Sequence, residues 1–183
     1  MKTICILIIY CLSVISIANA QAPFMGMLKT KSGHVVINGK IDTTTITGQS
    51  NSLLIILNCA TSEITAIVDI NTISTGIGRY DSLLVRRTDA AYFKGKMEIN
   101  LLNTDLIPPF DFEIDGILTL NSMSRPMKMR AGLNYLPDQE ISGLLSGSLA
   151  ISLNDFNLKN RMPGFSDLLT IQFTQVILKK VCE

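Results

Sequence analysis

Few residues of this 183-residue chain have the type and spacing needed to make or break a bond. His34 is the single histidine, and no Ser, Asp or Cys can be tied to it as nucleophile or orienting group. A lone histidine opening an extended stretch reads as structural or exposed. The acidic residues are scattered along the chain, so glycoside hydrolysis by a carboxylate pair has no support. No glycine-rich loop followed by Lys offers a phosphate cradle, and no CxxC pair offers a zinc site. Met123, Met127 and Met129 carry soft sulfurs that suit Cu(I), but their alternation with polar residues favours core packing. No catalysis and no cofactor are expected.

Apolar side chains remain, and they can bind without a polar constellation. Moving hydrocarbon from water into an apolar tunnel yields about 0.8 kcal/mol per buried CH₂. The candidate lining is Leu83, Leu84, Phe93, Phe112, Ile114, Met127, Met129 and Phe173. Methionine adapts to a ligand of irregular shape, although it also fills cores. Arg79, with Arg86 and Arg87, could meet an anionic head group at the mouth; solvated surface arginines are the plainer reading. The partner expected is a hydrophobic small molecule.

These residues must be held by strands. In FDFEIDGILTL, Phe110, Phe112, Ile114, Gly116, Leu118 and Leu120 share one face, and Asp111, Glu113, Asp115 and Thr119 the other. In RPMKMRAGL, Met127, Met129, Ala131 and Leu133 alternate with Lys128 and Arg130. The short NSMS segment between them predicts an antiparallel hairpin. EISGLLSGSLAISL alternates in the same way from Ile141 to Leu153. Further strands are predicted at 34–41, 52–59, 63–70, 96–102 and 170–180. Eight strands with one polar face each predict an all-β fold, an antiparallel barrel or sandwich.

Gly116, Gly143 and Gly147 fall on the apolar face. They either allow a bend that closes a barrel or leave room inside it. The strand pattern breaks at 76–93. There Tyr80, Leu83 and Leu84 at i, i+3 and i+4 predict a short amphipathic helix over Tyr80–Arg87, covering a barrel end.

Residues 1–20, MKTICILIIYCLSVISIANA, read as an export signal. Lys2 precedes the apolar run Ile4–Ile17, and Ala18-Asn19-Ala20 supplies the small residues of a cleavage site. Cleavage near Ala20 leaves 21–183 as one expected domain, in the periplasm or secreted; a retained anchor is the alternative. Lipidation at Cys11 is opposed by the bulky Tyr10 before it. Loss of Lys2 leaves 15 basic residues against 15 acidic, which argues against nucleic acid and weakens attachment to anionic lipid. Peripheral membrane contact and pairing of two copies stay open. Cys59 and Cys182 then remain in an oxidising compartment. A bridge between them would be worth roughly 4–5 kcal/mol in the chain-entropy picture; a buried Cys59 and a free terminal thiol are the alternative.

The ordered segments AIVDINTISTG, GRYDSLLVRRTDAAYF, FEIDGILTLNSMSRPMKMR and GSLAISLNDFNL resemble the YceI-like family, exported lipocalin-like barrels. Thr75-Gly76, Arg79, Asp81, Leu83, Phe93, Gly116, Leu118, Thr119, Ser124, Arg125, Pro126, Asp155 and Phe156 occupy matching positions. Departures are Asn121 where the hairpin usually has Gly, Ser82 where His usually precedes the helix leucine, and an N-terminal strand pair that looks abbreviated. The resemblance implies an antiparallel lipocalin-like barrel of about eight strands whose hydrophobic cavity takes an isoprenoid or other lipid, with the helix beside the opening. Two other readings stay open: an exported interaction module with a filled barrel, and a small outer-membrane barrel.

Overall fold

The computed structural model describes residues 26–84, 90–97, 110–136 and 141–181, in which alternating side chains close one antiparallel sheet on itself. Its strands are β1 (Met27–Lys29), β2 (Gly33–Ile41), β3 (Thr44–Asn58), β4 (Glu63–Asp69), β5 (Ala90–Met97), β6 (Phe110–Leu120), β7 (Met123–Tyr135), β8 (Ile141–Ser152) and β9 (Leu168–Lys180). A helix, α1 (Gly78–Leu84), lies between β4 and β5. β1 and β2 occupy one barrel position in succession, each between β3 and β9: Leu28 faces Leu57 and Lys180, and Val36 faces Gln49 and Gln172. Each later strand pairs with the next until β9 returns to β2. The result is eight antiparallel positions with no free edge in the cycle.

The predicted β6–β7 hairpin is present, turning at Asn121 and Ser122 with φ of 52° and 60°. Both central residues of this two-residue turn are left-handed, which matches the twist of the strands it joins. Asparagine tolerates that region better than most side chains, so Asn121 can stand where the family usually has glycine.

The N-terminal pair is not abbreviated: β2 has 9 residues and β3 has 15, joined at Asp42-Thr43. A bulge hides this from period-two reading. Opposite β2 the register passes from Gly33↔Leu53 to Val35↔Ser50, which inserts one extra residue in β3. The inward set accordingly changes phase, from Ile46, Gly48 and Ser50 to Leu53, Ile55 and Leu57. A similar shift in β9 follows Phe173, where Gln175 has φ 52° and the inward set resumes at Val176 and Leu178. β5 also begins earlier than predicted, at Ala90, and α1 earlier, at Gly78. The predicted extensions to residue 102 and to Arg87 lie outside the described residues.

The outer face is charged at mid-strand. Lys128 Nζ sits 3.2 Å from Asp115 and 3.6 Å from Glu113, and Arg130 Nε 3.8 Å from Glu113, all well exposed. On the β6–β7 hairpin apolar side chains face in and charged ones out, the inverse of lipid-facing strands.

Candidate functional site

Segments 70–84 and 153–167 cross the barrel end at which β4, β6 and β8 finish. Their anchors are polar. Ser74 exchanges two backbone hydrogen bonds with Gln49, at 2.8 and 2.9 Å. Asp81, in α1, accepts from the Thr75 hydroxyl and backbone N–H, both at 2.6 Å, and from the Ser74 hydroxyl at 3.3 Å. These bonds, the Thr75 hydroxyl first, hold its carboxyl below the usual range. The second segment is tied by the Ser166 N–H to Lys40 O at 2.6 Å and by Lys159 Nζ to Phe165 O. Asn121 Nδ2 donates to Phe156 O at 3.0 Å, and Arg161 donates to Asn121 Oδ1 at 3.2 Å. The Ser152 hydroxyl at 2.7 Å and the Asn154 N–H at 2.9 Å likewise hold the Asp167 carboxyl down.

Beneath these segments is an apolar cavity of about 140 Å³. Val35, Ile37 and Gly39 of β2 and Ile46 and Gly48 of β3 form one wall. Val68, Ala91, Leu118 and Leu120 come from β4–β6, and Ile151, Leu169 and Ile171 from β8 and β9. Tyr80 of α1 meets Phe165 edge-to-face with ring centroids 5.3 Å apart, and both rings border the cavity with Leu158 and Met162. Among the described lining side chains only Thr75, Tyr80 and Arg161 carry oxygen or nitrogen.

The described residues of the sequence-predicted lining lie outside this cavity, with Phe112 and Phe173 bordering a second, more open pocket. Phe93, Ile114, Met129 and Phe173 are buried deeper in the barrel, Phe112 and Met127 pack partly buried against the same core, and none of the six borders the cavity. Arg79 is exposed, its guanidinium 4.6 Å from the Tyr80 ring centroid. The Leu83 and Leu84 side chains, with Arg86 and Arg87, lie outside what the structure describes. Sequence reasoning placed Tyr80 on the helix's apolar stripe but passed over Ile37, Met162 and Phe165. Phe165 and Met162 stand in NDFNLKNRMPGFSD, whose Asn, Gly and Pro read as plain loop. Isolated apolar side chains in so polar a segment were the available signal.

Two of the three inward glycines, Gly116 and Gly147, prove to be filled space. A Cβ on Gly116 would stand 2.5 Å from the Phe93 ring and 2.7 Å from the Lys94 carbonyl oxygen; one on Gly147 would stand 2.4 Å from the Phe173 ring. Aromatic rings on neighbouring strands occupy the room that these glycines leave. Further down, Ile55, Leu57, Ile64, Ile114, Leu145 and Leu178 have no accessible surface. Cys59 is buried at that end with no disulfide partner among the described residues, and desolvation pushes its thiol pKa up to about 11. Its suggested partner, Cys182, lies outside the described residues, as does the export signal.

No protein-family model matches the sequence, and no curated protein matches it. Solved structures do match. A polyisoprenoid-binding domain from Saccharophagus degradans implicated in plant cell wall breakdown superposes with TM-score 0.68 at 13% identity, over 87% of this chain and 99% of that one. Burkholderia cenocepacia BcnA gives 0.59 at 14%, over 81% and 96%. A Campylobacter jejuni YCEI protein gives 0.55 at 16%, over 79% and 90%. The fold is therefore the YceI-like, lipocalin-type barrel that the ordered landmarks implied.

Proposed function

We propose that this YceI-like barrel is a non-catalytic binder or carrier of a hydrophobic molecule, held in the apolar end cavity and acting outside the cytoplasm. The observation that carries the reading is the cavity: a void of about 140 Å³ walled by aliphatic side chains and bordered by the Tyr80–Phe165 pair. Its mostly aliphatic wall offers water few hydrogen bonds, so an apolar guest gains contact at little cost in displaced water. Among the described residues Tyr80 and Arg161 are the only titratable side chains on its wall, which favours binding over bond-making. The residues 1–20 leader supports export, and the polyisoprenoid-binding neighbour supports an isoprenoid or other lipid as the ligand class.

Native mass spectrometry of protein purified from its own cells tests this. A co-purifying apolar mass is expected, and Ala91→Phe, which grows a side chain into the cavity, should abolish it while far-UV circular dichroism stays that of a barrel. Equal retention by the variant would remove the ligand from the cavity. The filled lower half favours one competing reading, a scaffold with no ligand. A bare mass after gentle handling would support that one.

A further inference from the structure

We infer that Phe93 and Phe173 form a floor that limits the ligand to a compact, ring-sized apolar group and excludes a long isoprenoid chain. This deepens the proposed function and rests on the cavity being the binding site. Along β5 the inward positions run Ala91, Phe93, Gly95, Met97, and along β9 they begin Leu169, Ile171, Phe173. Ala91 and Ile171 border the cavity, whereas Phe93 and Phe173, the next inward residues, are buried and do not. Each ring reaches across to a glycine, Phe93 to Gly116 and Phe173 to Gly147, so the volume a hollow barrel would keep open is taken by protein. Two strands well separated around the sheet thus each place a ring next to the cavity on its inner side. An engineered cavity of roughly 150 Å³ in another protein binds benzene. The 140 Å³ here is the same size class.

The experiment titrates the purified protein with two probes, toluene and farnesol, by calorimetry. Toluene should bind saturably and farnesol at least about tenfold more weakly. In the Phe93→Ala/Phe173→Ala double variant, the ratio of farnesol affinity to toluene affinity should rise by roughly tenfold. If the double variant does not fold, Phe173→Leu is used, with a smaller gain expected. Farnesol binding the unaltered protein as tightly as toluene would overturn the floor and leave the cavity reading intact. Failure of both probes to bind the unaltered protein would overturn the cavity reading and, with it, the floor.

Discussion

At the scale of single residues, this barrel is defined by where a side chain is missing. Gly95 and Gly116 face each other across β5 and β6, and the Phe93 ring covers both. A methyl at position 116 meets the ring and also a backbone carbonyl oxygen, which cannot rotate away. Overpacking of this kind typically costs about 1–3 kcal/mol. At Gly147 the nearest atoms are all from the Phe173 ring, which can tilt. Gly116→Ala should therefore lower the urea midpoint more than Gly147→Ala. Equal losses would mean that the backbone contact at Gly116 is easily relaxed.

At the scale of elements, the covering segment with α1 is held by polar contacts, whereas the strands are held by burial. Asp81 is its clamp, joining the helix to the Ser74–Gly76 loop that pairs with β3. Because the folded carboxyl is held below its ordinary range, its contribution is complete at neutral pH. It is lost as pH falls through the folded value, when the proton replaces the hydrogen bonds from Thr75. Asp81→Asn should raise hydrogen exchange across residues 70–84 several-fold at pH 7, with strand amides unchanged. The gap from the parent should narrow in acid, below the usual carboxylate range. A gap that is constant with pH would show that the carboxylate charge is not what holds the segment.

At the scale of the whole molecule, the barrel has a solid half and a hollow half. Leu57 is packed on all sides at the solid end, while Leu120 borders the cavity and already lacks neighbours on one side. Leu→Ala changes in cores cost about 2–5 kcal/mol, rising with the void created. Leu57→Ala should fall in the upper part of that range and Leu120→Ala in the lower part, by chemical denaturation. The reverse order would contradict the division of the interior. The same division bears on capacity, since the apolar cavity lies in the hollow half.

The sequence by itself determined an all-β antiparallel fold, barrel or sandwich, because an alternating side-chain period is local: FDFEIDGILTL, RPMKMRAGL and ISGLLSGSLAIS lie in strands, and their described side chains keep the faces that the patterns assign. It also placed the helix and the β6–β7 turn. The first half of β3 escaped because a bulge at Ser50–Leu53 changes the phase and because its polar TTITGQSN reads weakly as a strand. Only the tertiary structure decided which inward residues face a void. Phe93 and Phe173 are inward, as the alternation says, yet whether they line a cavity or plug it depends on the glycine across the sheet, and pairing partners far apart in the chain are not encoded in either strand's own pattern.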